Sequence, residues 1–446
     1  MSSAPPTGAP PHPVRLVVTD DLLRRRSTVL FRLLLALPHL VWVGLFGVAA
    51  FTLAFVVWLA VLFERRAPGT LHRFLASYVR YSAHLTAYLT LAASPYPGFT
   101  GSGAYPIDIE IDPPARQGRL GAGFRLLLAL PALLLAATLG GSPALGAWSS
   151  IALVLGAGGL ASAVGLLGWF ACLARGRMPR GMRDAAAYTI GYGAQTAAYA
   201  FLLTDRYPDA DPGRAEPRPE LPPHPVAIGV RDDLGRPRLV VAFRLLLTIP
   251  HLLWLALWGV PAAIAAVLAW ALALALGRVP LLLHRFLAAY VRACTHVGAF
   301  LYVVGRPFPG FVGREGSYPI DLMIAGPARQ ERLGVLARLL LAVPALILSS
   351  AYGGVLFVVA VLAWFAALAT GRMPEGIRDL GAASLRYQAQ VLAYLFLLTP
   401  RYPNSSPALE GRRPEPVATR EEEGLGGPPP VDAPPSLGYG PSNAMR

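Results

Sequence analysis

The chain has 446 residues, of which 54% are hydrophobic and only 14% are charged. Soluble domains carry roughly a quarter charged residues, so this composition excludes an ordinary soluble protein and favours a bilayer. The net charge of +14 comes without a basic tract, a zinc signature or an aromatic-rich RNA motif, which argues against nucleic acid as a partner. We assign the positive charge to arginines that flank membrane segments.

Taken in chain order, residues 1–12 are predicted to be disordered. Four repeat units follow, which alternate in type and are named A1, B1, A2 and B2: residues 13–99, 104–208, 224–311 and 317–403. A Pro-rich linker, residues 209–223, joins the two pairs, and residues 404–446 form a second segment predicted to be disordered. The order ABAB indicates that an older pair of units was duplicated.

Each unit opens with a short segment in which apolar residues occupy every second position. Examples are "VRLVV" from Val14 and "IDIEI" from Ile107, and this alternation predicts a half-buried β-strand. An "RLLL" segment ending in proline follows, first seen as "FRLLLALP" from Phe31 to Pro38. Because proline lacks the backbone N–H, we expect it to kink the helix just inside the membrane.

A long uncharged run follows each "RLLL" arginine. The run of unit B1 is nearly fifty residues long and contains "GGSPALG" from Gly140, which predicts a helical hairpin. By analogy we predict four hairpins, about eight transmembrane helices in a mainly α, polytopic membrane protein, although the short arms of A1 and B2 also suit re-entrant segments. Arginines lie at the outer ends of the runs, so the positive-inside rule places both termini and all four strands in the cytoplasm.

A third, amphipathic helix is predicted after each hairpin, for example "LHRFLASYVRYSAHLTAYL" from Leu71. Such segments usually lie in the plane of the membrane interface. A third crossing is the alternative, but it would distribute arginine to both sides of the membrane.

Eight arginines are candidate contacts for lipid headgroups. Those of the "RLLL" segments are expected to extend to the headgroups, namely Arg32, Arg125, Arg244 and Arg338. The segments "GRMPRGMRD" and "GRMPEGIRD" supply four more, namely Arg177, Arg183, Arg372 and Arg378. Each of these two segments also has a simpler interpretation, in which Gly ends one helix and Pro begins the next.

All eight histidines lie in A-type units and pair at an interval of 212 residues, as His84 does with His296. A metal site or a proton relay is one interpretation. His72 and His84 are too far apart on one helix to share a metal, so interfacial polar contacts are the preferred interpretation. We predict no metal, no cofactor and no catalytic residue.

The segments "YPIDIEIDPPARQGRL", "FRLLLALP", "WFACLARGRMPRGMRD" and "AYAFLLTDRYP" resemble a bacterial membrane family known as domain of unknown function 4389. The resemblance covers the B-type units closely and the A-type units more loosely, and it suggests tandem copies. It implies an integral membrane protein and brings no activity or catalytic residue.

The sequence therefore predicts a multi-pass protein of the cell membrane that is not an enzyme. Our first hypothesis is a scaffold that binds lipid, including anionic headgroups, or a partner protein on the cytoplasmic side. The alternative is a transporter or permease for an apolar or amphipathic small molecule, because parallel repeats also build transporters.

Overall fold

The computed structural model describes residues 11–140, 159–214 and 223–409. Within them the four units share one order of elements: a strand, a short helix, a long helix and an inner helix. The predicted disorder of residues 1–10 and 410–446 lies outside the described residues. Residues 404–409 differ from the prediction, because Ser406 and Ala408 accept hydrogen bonds from the buried Arg386 guanidinium through their carbonyl oxygens.

The four predicted strands are present and pair between the two units of each pair. They are β1 (Val14–Val18), β2 (Ile107–Ile111), β3 (Val226–Val230) and β4 (Ile320–Ile324). β1 pairs antiparallel with β2, and β3 with β4, forming two separate two-stranded sheets. Leu16 lies opposite Ile109 at the centre of the first sheet, and the apolar residues of both strands share one face.

A five-residue helix precedes each long helix. These short helices are α1 (Arg26–Leu30), α4 (Arg119–Gly123), α8 (Arg238–Ala242) and α11 (Arg332–Leu336). A single residue, Phe31 in the first unit, separates each short helix from the long helix that follows.

The long helices of three units correct the predicted hairpins, because each is one unbroken helix of 33 residues. They are α2 (Arg32–Glu64), α9 (Arg244–Leu276) and α12 (Arg338–Thr370). Gly353 and Gly354 lie inside α12, since a helical glycine costs only about 1 kcal/mol relative to alanine and packing compensates for it. These three helices are long and apolar enough to cross a membrane, whereas eight transmembrane helices are not confirmed.

Unit B1 divides its long helix into α5 (Arg125–Leu139) and α6 (Gly159–Arg175). Their 15 and 17 residues together come within one residue of the 33 residues of the other long helices, although residues 140–158 separate them in the sequence. The two halves meet end to end, because a Cβ on Gly159 would lie 1.8 Å from the carbonyl oxygen of Thr138. The predicted hairpin turn after Gly140 falls in residues 141–158, outside the described residues.

The third helix of each unit, called here the inner helix, packs antiparallel against its own long helix. The inner helices are α3 (Gly69–Leu89), α7 (Arg180–Ala200), α10 (Leu281–Leu301) and α13 (Glu375–Leu395). They are amphipathic as predicted, but they form the core instead of lying at an interface, and residues 81–92 are all buried. Tyr78 and Tyr81 pack against Phe46 of α2, which explains this burial.

The two units of a pair exchange contacts. The Trp58 side chain of α2 donates a hydrogen bond to the carbonyl oxygen of Ala122 in α4. In return, Trp169 of α6 donates to the carbonyl oxygen of Val29 in α1. Each long helix therefore packs on the short helix of the neighbouring unit, and the A and B units of a pair are related by an approximate twofold axis.

Candidate functional site

The arginine of each "RLLL" segment is buried at the C-terminal end of the inner helix of its own unit. Arg32 Nη2 donates to the carbonyl oxygens of Ala93 and Ser94, at 2.7 and 3.2 Å. Its guanidinium carbon lies 4.1 Å from the ring centroid of Tyr88. The other units repeat this stacking, with Arg125 on Tyr199, Arg244 on Phe300 and Arg338 on Tyr394, at 4.1, 4.4 and 4.2 Å.

These arginines donate hydrogen bonds to carbonyl oxygens that are left without helical partners at the ends of the inner helices. Each inner helix is followed within two residues by a residue in the left-handed conformation, namely Leu91, Leu202, Val303 and Leu397. The chain reverses there and leaves carbonyl oxygens without helical partners, in a region of partial negative charge. A guanidinium supplies several N–H donors and a positive charge at that point.

The predicted lipid contact of Arg32, Arg125, Arg244 and Arg338 is therefore corrected. Arg32 is only 2% exposed, and its three counterparts are equally buried. Arg32 donates its hydrogen bonds to carbonyl oxygens of the protein, where lipid phosphates were the expected acceptors. The "RLLL" arginine fastens the start of a long helix to the end of an inner helix.

The sequence analysis missed a second set of arginines, called here the capping arginines: Arg26, Arg119, Arg238 and Arg332. Each begins a short helix and donates to a carbonyl oxygen in the last turn of the neighbouring long helix. The acceptors are Ala174, Phe63, Ala369 and Ala275, at 2.9 to 3.1 Å. Each of these arginines stands six residues before an "RLLL" arginine, and this constant interval is the signal that could have revealed them.

The "GRMP" arginines divide into two kinds. Arg177 and Arg372 are exposed, next to the backbone of Leu23 and Gly235 respectively. Arg183 pairs with Asp184 at 3.0 Å, and Arg378, which is buried, pairs with Asp379 at 2.7 Å. Arg177 and Arg372 thus keep their predicted role as candidate headgroup contacts, and the glycine before each of them ends a helix as the simpler interpretation required.

A histidine, an aspartate and an arginine meet where the sheet packs on the inner helix. His84 Nε2 lies 2.8 Å from Asp108 Oδ1, and Arg80 Nη2 donates to Asp108 Oδ2 at 2.7 Å. Burial would raise the pKa of Asp108, but the hydrogen bonds from His84 and Arg80 outweigh burial and hold that pKa at about 2. In the second pair, His296 lies 2.7 Å from Asp321.

The sequence did not reveal this cluster, because the aspartate belongs to the "YPID" segment of the neighbouring unit. The ring of Tyr105 in the same segment stacks on His84, with 4.5 Å between centroids. The cluster joins a helix of unit A1 to a strand of unit B1. It is a polar contact at a boundary between two units, and the predicted role of the histidines at the membrane interface stays a prediction.

The remaining histidines also contact the protein. His39 Nδ1 lies 2.8 Å from the Tyr81 hydroxyl, and His251 Nε2 lies 2.8 Å from the carbonyl oxygen of Pro309. His12 and His224 accept hydrogen bonds from the backbone at the start of a strand. Across residues 11–140, 159–214 and 223–409, no group of three or more histidine, cysteine or acidic residues is arranged to hold a metal ion.

An open apolar groove of about 450 Å³ lies between α2 and α3. Trp42, Phe46, Phe74 and Phe99 line it. The Trp42 indole donates to the carbonyl oxygen of Phe99 at 2.7 Å, which holds the loop after α3 against the long helix.

One comparison with known proteins gives a match. The model of the family described as Domain of unknown function (DUF4389) matches residues 26–100 and 332–406. The chain contains tandem copies of this domain. Each copy of DUF4389 comprises a short helix, a long helix and an inner helix, and each begins at a capping arginine, Arg26 or Arg332.

The two DUF4389 matches fall in unit A1 and unit B2, one unit of each type, whereas a closer match in the B-type units than in the A-type units was expected. No curated protein and no solved structure matches the sequence.

Proposed function

We propose that the protein is a non-enzymatic scaffold of the cell membrane that binds lipid, including anionic headgroups, and a partner protein on its cytoplasmic side. The observation that carries this proposal is the exposure of the long helices. Only 22%, 28% and 33% of their most apolar stretches are buried. Apolar surface of this extent marks a contact with lipid or another apolar partner.

Exposed arginines support the headgroup contact. Arg65 and Arg66 follow the end of α2, and Arg175 and Arg177 lie at the end of α6. Clusters of arginine beside apolar segments attract anionic lipid and favour the cytoplasmic side of the membrane. The same rule places both termini in the cytoplasm in this proposal.

The proposed partner site is the outer face of the first sheet. Arg15 pairs there with Asp112 at 2.9 Å and with Glu110 at 3.4 Å, and all three side chains are partly exposed. Exposed ion pairs of this kind contribute little to stability, so they are free to exchange for pairs with another protein.

We propose no reaction, because the interior charges are engaged in structural contacts. Arg32 binds carbonyl oxygens of the chain, and Asp108 binds His84 and Arg80.

Lipid analysis of the purified protein tests the proposal. We expect anionic phospholipid to copurify with the wild type, and Arg177→Ala with Arg372→Ala to lose at least half of it. The matched control combines Arg15→Ala with Arg231→Ala, which removes the same charge from one partly exposed and one exposed position at the sheets. Lipid content that is equal in all three proteins would refute the headgroup contact.

Transport is the second candidate, favoured by the groove between α2 and α3. Its aromatic lining suits a small apolar molecule. Binding of a hydrophobic fluorophore that is lost on Trp42→Ala, with uptake into proteoliposomes, would support this function. Binding without uptake would indicate that the groove is only a docking site.

A further inference from the structure

The two ends of each long helix contact equivalent places beside one sheet. At the start of α2, the backbone N–H of Arg24 donates to the carbonyl oxygen of Gly176, which follows the end of α6. At the end of α2, the backbone N–H of Gln117 donates to the carbonyl oxygen of Arg65. Arg24 and Gln117 are equivalent, since each stands ten residues after the first residue of its strand.

These equivalent contacts fix the direction of the long helix. Two antiparallel strands that pack through the same face are related by a twofold axis perpendicular to the sheet. Rotation about that axis superimposes the contact of Arg24 with Gly176 on the contact of Gln117 with Arg65. Both contacts therefore lie at the same distance from the plane of the sheet. The start of α2 lies beside the first contact, because Arg24 and Arg32 donate to the neighbouring carbonyl oxygens of Ala92 and Ala93. Since α2 ends at the second contact, α2 runs parallel to the sheet.

The second pair of units obeys the same rule. The backbone N–H of Arg236 donates to the carbonyl oxygen of Gly371, and that of Gln330 to the carbonyl oxygen of Gly277. The side chains of Arg238 and Arg332 repeat the contacts of Arg26 and Arg119. In both pairs the long helices thus run parallel to their own sheet.

A helix of 33 residues is about 50 Å long, which exceeds the ~30 Å hydrocarbon core of a bilayer. If α2 crossed the bilayer, its midpoint would lie near the bilayer centre, and the twofold axis would lie in the membrane plane. The sheet would then also lie at that depth, with Arg15, Glu110 and Asp112 facing hydrocarbon. Charged groups at the bilayer centre are strongly disfavoured.

The exposed face of α2 suits a helix that lies parallel to the membrane surface. Large apolar residues are exposed along its whole length at helical spacing, including Leu34, Val41, Val48, Phe55 and Phe63. The opposite stripe is buried against the inner helix. Exposed arginines lie beyond both ends of this face, Arg25 and Arg26 before it and Arg65 and Arg66 after it.

We infer that each pair of units lies on one leaflet of the bilayer with its long helices parallel to the membrane surface. Acyl chains cover the exposed apolar face, and anionic headgroups meet the arginines at both helix ends. The sheet with its ion pairs stays outside the hydrocarbon. This inference rests on the proposed function, because both require lipid to cover the exposed apolar faces of the long helices.

Single cysteines in the full-length protein test the placement. Arg26→Cys and Arg66→Cys replace exposed residues at the two ends of α2, and Val48→Cys replaces an exposed residue near its middle. A membrane-impermeant maleimide is applied to sealed vesicles of both orientations, and quenching by brominated lipids measures the depth of a fluorophore at each site. The variants are made in a parent that carries Cys172→Ala and Cys294→Ala, because Cys172 is buried but Cys294 is partly exposed, and this parent gives the background labelling.

The expected result is that residues 26 and 66 react from the same side, at least tenfold faster than from the other. The label at residue 48 should lie within that leaflet, at the depth of labels from Leu34→Cys and Phe63→Cys. Arg238→Cys and Arg278→Cys should repeat the result in the second pair.

Two results would overturn the inference. Reaction of residues 26 and 66 from opposite sides, with residue 48 at the bilayer centre, would show a crossing. Reaction of residue 48 from the far side would show a hairpin. A protein that does not sediment with vesicles at all would instead refute the proposed function, so the two failures are distinguishable.

Discussion

The guanidinium of Arg32 stacks on the ring of Tyr88, with 4.1 Å between the guanidinium carbon and the ring centroid. An arginine stacks on an aromatic ring in the same way in all four units, and the ring is Phe300 in unit A2 and a tyrosine in the others. In each case a long helix begins beside the end of an inner helix. The "RLLL" segment is thus a structural fastener, and its arginine holds the hairpin formed by the long and inner helices.

Arg32→Leu should lower the free energy of unfolding by about 2–4 kcal/mol. The substitution leaves the carbonyl oxygens of Ala93 and Ser94 unsatisfied and removes a buried cation–π contact. Arg25→Leu is the control, because Arg25 is exposed and lies seven residues earlier, just before α1. Thermal unfolding in detergent measures both, and equal melting temperatures would contradict the fastening role.

Asp108→Asn should cost about 1–3 kcal/mol at pH 7, because the carboxylate that accepts hydrogen bonds from the charged Arg80 and from His84 is lost. The folded pKa of about 2 is below the ordinary 3.8, so the ionised group stabilises the fold above pH ~4. That contribution disappears as the pH falls from about 4 to 2.

Melting temperatures recorded from pH 7 to pH 2 check this dependence. The wild type and Asp108→Asn should converge at the acid end, whereas a constant difference would exclude the ionised carboxylate as the cause. Asp112→Asn serves as the comparison, since it removes only a partly exposed ion pair worth about 0.2–1 kcal/mol.

Gly101→Ala should destabilise the protein by more than about 2 kcal/mol. Gly101 has φ +65°, and an added Cβ would lie 2.4 Å from the carbonyl oxygen of Ser77 in α3. Gly98→Ala, three residues earlier, is the matched control, because nothing lies within 4 Å of its Cβ position. A similar melting temperature for both variants would show that the loop is not held against the inner helix.

Arg119→Ala should loosen the last turn of α2 while leaving the rest of that helix intact. The side chain of Arg119 donates to the carbonyl oxygen of Phe63 at 3.0 Å, and such a cap is worth about 0.3–1 kcal/mol. Hydrogen exchange should accelerate for the amides of residues 61–65. Arg116→Ala, which removes an exposed arginine nearby, should leave those amides at wild-type rates.

The strands and the repeat units were predictable because their signals are local. Alternation of apolar residues over five positions identified β2, and the recurrence of "RLLL" identified the start of each long helix. The resemblance to the DUF4389 domain was likewise evident from short segments, and the tandem copies are confirmed.

The hairpins of units A1, A2 and B2 were wrong because they were predicted by analogy with the long interrupted run of unit B1. Gly353 and Gly354 remain helical in α12, a helix of good helix formers that packs along most of its length. The burial of Arg32 depends on carbonyl oxygens about 61 residues later in the chain, and the partner of His84 lies in another unit. No local pattern reports such distant contacts.

Because the two units of a pair donate their capping arginines to each other, a single unit lacks the donor for the last turn of its own long helix. A long helix taken with only its own short helix keeps an open last turn, because the donor that closes it belongs to the neighbour. Two units are therefore the smallest piece in which both of these last turns receive their arginine donors. We therefore expect a protein that encodes this domain once to supply the second unit from another copy of itself, as a homodimer.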